Sequence, residues 1–186
     1  LGSMVVMIAS MLSMMFVANV PLHKLALVFL VIVALGGLAV VSQQYRRDRF
    51  VAFLNPEKDC SSTGYHACQA LIAVGSGGLF GLGVGNSVQA YGYTPEPATD
   101  SIFAIYAEKF GFIGSTILVG LYGLLFFRIL KIVRRAPDNA SRFIAAGTLG
   151  WLSVQTVINI GAMIGLLPLK GITLPFISYG GTSLMF

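Results

Sequence analysis

The chain has 186 residues, of which 56% are hydrophobic and only 10% charged, with a formal net charge of +5 at pH 7. Soluble domains carry about 25% charged residues, so water is not the main solvent here. The Lys and Arg residues flank apolar runs of membrane-spanning length, which excludes a nucleic-acid patch as the reason for the basic balance.

A bilayer helix needs roughly 20 apolar residues, and residues 1–20 contain no charge. With no initiator methionine, no signal-peptide pattern and a last apolar run that stops at Phe186, the chain is expected to be an internal piece of a larger polytopic protein. Pro21 marks a tight turn into a second helix over 25–43. A long segment over 44–99 follows, then helix 100–130, a basic connection over 131–142, helix 143–167 and the start of another over 172–186. The fold class is all-α: a polytopic transmembrane bundle with about five spanning segments. Arg128, Lys131, Arg134, Arg135 and Arg142 surround the 131–142 connection, with Asp138 as its acid, and His23 and Lys24 lie in the other short connection. The positive-inside rule makes that side cytoplasmic and the long segment external.

The external segment is not an ordinary polar loop. "LIAVGSGGLFGLGVGNS" is apolar and glycine-dense, and irregular backbone at membrane depth is tolerated only when buried in protein or lining a cavity. Part of it is expected to be re-entrant and packed on the bundle. Gly-x-Gly-x-x-Gly does not occur, so it is no dinucleotide loop. Cys60 and Cys68 flank "SSTGYHA" on the external side, as a structural disulfide or as free thiols. Two histidines and two cysteines at these positions make no metal-site spacing.

"TPEPATDSIFAIYAEKFG" carries ionisable groups into an apolar helix. Thr99 is placed to cap it, and Asp100 to lie in the first turn, where the helix dipole favours an anion. Taken alone, Asp100 is either such a dipole-stabilised acid or a catalytic carboxylate. Glu108 lies eight positions on, about 80° around the helix, so the two need not share a face. Glu108 and Lys109 read as a locally compensated buried pair with a structural role. Ser178, Tyr179, Gly180 and Gly181 interrupt the last helix start and read as a packed turn beside a cavity.

"YRRDRFVAFLNPEKD", "GYHACQALIAVGSGGLFGLGVGNS", "TPEPATDSIFAIYAEKFGFIG" and "NIGAMIGLLPLKGITLPFISYGGTSL" occur in order along nearly the whole chain. Together they resemble the signature blocks of the SEDS family, the shape, elongation, division and sporulation proteins. The run Lys170-Gly171-Ile172-Thr173 is more similar to the FtsW branch than to RodA. The resemblance implies an inverting peptidoglycan glycosyltransferase that polymerises lipid II during cell division, with undecaprenyl pyrophosphate leaving. It places the enzyme in the bacterial cytoplasmic membrane, multi-pass, with an outward-facing site. It implies a class B penicillin-binding transpeptidase and other division proteins as partners, besides membrane lipid. The family's essential aspartate matches Asp100, the expected general base. Arg46, Arg49 and Lys170 are the external cations for the pyrophosphate, and Glu96 and Ser178 complete the substrate-contact candidates. A divalent cation, Mg or Mn, is a further candidate. The chain departs from the family at Ala90, Ala98 and Lys109, where members often carry a basic residue, a histidine and an acid. A lipid II flippase and a non-catalytic scaffold that recruits the transpeptidase are the competing readings.

Overall fold

The computed structural model describes residues 2–41, 65–83, 85, 99–167 and 171–179. Among them every regular element is a helix: α1 (Gly2–Val17), α2 (Leu22–Val41), α3 (Tyr65–Ser76), α4 (Ile102–Arg135) and α5 (Asn139–Met163). The all-α expectation holds. The chain divides into two compact units, Leu1–Asp48 with Leu124–Val154, and Arg49–Gly123 with Gln155–Phe186. Two helices, α4 and α5, are long and apolar enough to cross a membrane.

In the first unit, α1 ends because Asn19 takes a left-handed conformation (φ 57°). The Val20 N–H then bonds the Met15 carbonyl and the Asn19 N–H bonds that of Phe16, the paired closure of a Schellman cap. Pro21 follows, and its carbonyl accepts from the N–H of Lys24. Helix α2 therefore begins at Leu22 rather than at the expected 25. Small residues let α1 approach α5: the Ser10 hydroxyl donates to the Gly147 carbonyl (3.1 Å) and that of Ser13 to Ala146 (2.8 Å). A side chain at Gly150 would strike Ser13. Such small-residue contacts suit helices whose association gains nothing from expelling water. At the head of α5, the Asp138 carboxylate accepts from the Ser141 N–H (2.8 Å) and the Ser141 hydroxyl (2.8 Å). That cap starts the helix at Asn139, four residues before the expected start, while α4 runs on to Arg135 because nothing stops it before Pro137.

The second unit corrects the reading of 44–99 as a loop: Tyr65–Ser76 is helical. Alanines at 70 and 73, both fully buried, give it a flat packing face, and the glycines that suggested irregularity begin only at its end. Beyond α3, residues 77–83 lie against a break in α4. Gly111 adopts φ 66°, ψ −163° inside the helix, which removes the bonds that Phe112 and Ile113 would make to Glu108 and Lys109. The loop replaces them. Leu82 and Gly83 donate to the carbonyls of Glu108 and Lys109 (2.9 and 3.1 Å), while Phe112 and Ile113 donate to Gly78 and Leu79 (2.9 and 3.2 Å). An unpaired backbone group in hydrocarbon costs several kcal/mol, so this exchange is what permits the break. It requires glycine: a Cβ at Gly77, Gly81 or Gly111 would run into backbone atoms of the facing segment.

Helix α5 ends at Met163, not at 167, because Gly165 turns left-handed (φ 76°) and Leu166 bonds back to Gly161 (2.8 Å). The helix expected from 172 is absent over the described residues 171–179, which form turns and irregular backbone. Their polar groups are taken by side chains instead. Gln155 donates to the Thr173 carbonyl (2.9 Å), Asn159 to that of Ile172, and the Tyr122 hydroxyl to that of Pro175.

Candidate active site

Asp100 stands in a turn just ahead of α4, and the cap is not where the sequence suggested. The Ser101 carbonyl accepts the first helical bonds, from Ala104 (3.0 Å) and Ile105 (3.3 Å), and Ser101 is 2% exposed. Ser101 is thus the N-cap, and Asp100 precedes the helix rather than lying in its first turn.

Two segments meet Asp100. Asn159 of α5 donates through Nδ2 to the Asp100 carbonyl (3.0 Å) and also to the carbonyl of Ile172. Gly171 lies against the carboxylate, since a Cβ built there would come 3.2 Å from Asp100 Oδ2. Asp100, Ile158, Asn159, Ala162, Met163, Gly171 and Ile172 line a recess of about 10 Å³, space on the order of one water. Asp100 is half-buried. The carboxylate thus stands at the rim of a recess while its backbone is held by Asn159.

The other expected site residues divide. Arg46, Arg49, Glu96, Lys170 and Cys60 lie outside the described residues; Lys170 is the residue joined to Gly171. Cys68 is disulfide-bonded. Ser178 is 3% exposed, and its Oγ accepts from the Leu174 N–H (2.7 Å). It closes a turn, as the sequence suggested, and does not line the recess. Glu108 is 1% exposed while Lys109 is half-exposed, and among the described residues no ion pair joins them. Adjacent helical residues point about 100° apart, so the expected local pair does not form. Among the described residues no group of three or more His, Cys, Asp or Glu side chains is placed to hold a metal.

Asn159 was not a candidate from the sequence, nor was Gln155. A signal was present: two carboxamides four residues apart, on one face of a helix that carries no charge beyond Arg142. In hydrocarbon such a pair has to find partners.

The family model of the FtsW, RodA and SpoVE cell cycle proteins matches residues 1–186. Stage V sporulation protein E of Bacillus subtilis is 45% identical over 186 residues, covering 99% of this chain and 50% of that protein. The "Probable peptidoglycan glycosyltransferase FtsW" of Saccharophagus degradans is 46% identical over 187 residues, covering 99% of this chain and 48% of that protein. A solved structure described as structural coordination of polymerization and crosslinking by a peptidoglycan synthase complex superposes with a TM-score of 0.78 at 30% identity. It covers all of this chain and 51% of that one. The chain thus spans about half the length of the relatives it matches. With two helices among the described residues long and apolar enough to cross a membrane, this likeness makes the chain a membrane protein.

Proposed function

The chain belongs to the FtsW, RodA and SpoVE family of cell cycle proteins, and from that premise we propose that the whole protein is a peptidoglycan glycosyltransferase. It polymerises lipid II at the outer face of the bacterial cytoplasmic membrane during cell division. The observation that carries this reading is the half-buried Asp100 carboxylate at the rim of a recess, ahead of a spanning helix and facing a position without a side chain.

In this scheme the Asp100 carboxylate accepts the proton of the acceptor sugar's hydroxyl as that oxygen attacks the donor's anomeric carbon. The bond to the pyrophosphate breaks on the opposite face, inverting the centre. Undecaprenyl pyrophosphate leaves without a proton donor when cations stabilise it, and Arg46, Arg49 and Lys170 are the residues we assign to that task. Glu96 is assigned to the substrate-facing loop. Mg²⁺ or Mn²⁺ would be held by the pyrophosphate with one or two carboxylates, the way Mg²⁺ commonly binds substrate phosphates. A class B penicillin-binding transpeptidase is the proposed partner. It is supported by the structural neighbour, a complex that couples polymerization to crosslinking.

The test uses the full-length protein with its transpeptidase partner and labelled lipid II in detergent, where no transbilayer step is needed. Glycan length is read on a gel. Loss of a positioned base typically costs 10²–10⁴-fold, so Asp100→Asn and Asp100→Ala are expected to lose polymer to about that extent while remaining folded. Undiminished polymer from both variants removes Asp100 from the chemistry. An intact wild-type complex that makes none returns the flippase and scaffold readings.

A further inference from the structure

The side chain of Asn159 is 2% exposed, and its two ends do different things. Nδ2 carries two hydrogens, and both are used: one on the Asp100 carbonyl, 59 residues away in sequence, the other on the Ile172 carbonyl, 13 residues away. The donor capacity of the amide is therefore filled. This also settles its orientation, because the reversed amide would set an oxygen against two carbonyl oxygens. Oδ1 is left buried with no hydrogen-bond partner, in a side chain that lines the same recess as Asp100 and Gly171. A buried acceptor without a donor is unfavourable in an isolated protein, and the recess holds about one oxygen-sized group.

We infer that Asn159 is the positioning residue of the Asp100 site: one amide holds the backbone of Asp100 in register with the 171–174 segment and presents Oδ1 to a hydroxyl or water entering beside the carboxylate. The inference rests on the reading of Asp100 as the base. It makes Asn159 act through Asp100, setting where the carboxylate stands rather than how tightly the lipid is held.

A purely structural role is the alternative, and α5 supplies its control. Gln155 lies one turn earlier and ties the same 171–174 segment, through Thr173. It does not line the recess that Asp100 borders. Loosening the segment alone is thus mimicked by Gln155→Leu, whereas Asn159→Ala also releases Asp100. Asn159→Asp keeps the volume and acceptor oxygens but removes both N–H donors.

The experiment measures kcat and KM for lipid II polymerisation by the full-length protein, with melting midpoints in the same detergent. Variants are Asn159→Ala, Asn159→Asp, Gln155→Leu and Asp100→Asn. Small misplacements of a reacting group can cost about 100-fold in rate. Both Asn159 variants are expected to lose kcat by about tenfold or more with KM little changed, while Gln155→Leu keeps a kcat close to wild type even if its midpoint falls. Equal losses of kcat in Gln155→Leu and Asn159→Ala overturn the inference, since segment stability then explains both. Wild-type kcat in Asn159→Asp overturns it as well, because the donors would be dispensable. If Asn159→Ala does not accumulate, the isosteric Asp variant carries the comparison. The failure of the underlying reading is separate: a fully active Asp100→Asn removes the base, and the inference with it. An inactive Asp100→Asn beside fully active Asn159 variants removes the inference alone.

Discussion

Asp138 and Asp100 each stand just ahead of a helix. The Asp138 carboxylate faces back into the first turn of α5 and is engaged by the Ser141 N–H and hydroxyl. Those bonds, the backbone one foremost, hold its carboxyl below the ordinary carboxylate range. At α4 the cap is Ser101, so the carboxylate of Asp100 is displaced by one residue from the capping position. A depressed folded value means that the stabilisation by Asp138 is present above the ordinary carboxylate pKa and is lost as pH falls through the folded one. Asp138→Ala is therefore expected to melt lower than wild type at neutral pH and to converge with it in strong acid. Asp138→Asn, still a good cap, should track wild type at neutral pH without the acid-side loss. The effect is small, because the carboxylate is fully exposed. Melting midpoints that run parallel across the pH range for all three proteins would refute it. "RAPDNAS" displays the cap in its own residues; that Ser101 and not Thr99 caps α4 depends on how the chain arrives from elsewhere.

At the scale of elements, what matters is the exchange of backbone bonds around Gly111. Gly81 and Gly83 share nearly the same left-handed backbone, φ 82° and 84°, but not the same surroundings. A Cβ at Gly81 would meet the backbone of Lys109 and Gly111, whereas one at Gly83 would meet nothing within 4 Å. A left-handed L-residue costs roughly 1–2 kcal/mol, so Gly83→Ala should destabilise by about that much. Gly81→Ala should cost clearly more, since the facing backbone has to move and weaken the bonds that bridge the break. Thermal melts in one detergent decide it, and equal losses would mean that the loop does not press on α4. The glycine density of residues 75–85 and its packing on the bundle were legible, because charge-free irregular backbone needs burial. Which helix it would pack on, and that this helix would break to receive it, were not: "EKFGFIG" reads as unbroken helix when only neighbours along the chain are considered. The helix ends show the same limit. Pro137 stops α4 and Gly165 stops α5 by local conformation, but the irregular backbone of 171–179 exists because Gln155, Asn159 and Tyr122 supply its missing partners.

At the scale of the molecule, eighteen residues separate Lys109 from Arg128 without a charge; beyond the break at Gly111 they run as about 24 Å of helix, against roughly 30 Å for a bilayer core. Within that stretch Leu121 is 59% exposed and Leu118 is 8% exposed. Exposed apolar side chains at this density belong in lipid or under another apolar surface, not in water. A nitroxide at position 121 of the full-length protein in bilayers is expected to collide with oxygen and to be shielded from a water-soluble nickel chelate. Strong collision with the nickel reagent would contradict the membrane placement of α4.

Composition and hydropathy alone determined that this chain is an all-helical membrane protein, and its four ordered motifs determined its family. Both are properties summed over many residues, so they survive ignorance of which elements touch. The place of Asp100 against Gly171, the amide of Asn159 that holds it, and the loop that replaces two helical bonds at Gly111 were decided only in the tertiary structure. Each rests on hydrogen bonds between backbones or side chains many residues apart, and a single bond of that kind leaves no periodicity along the chain from which it could be read.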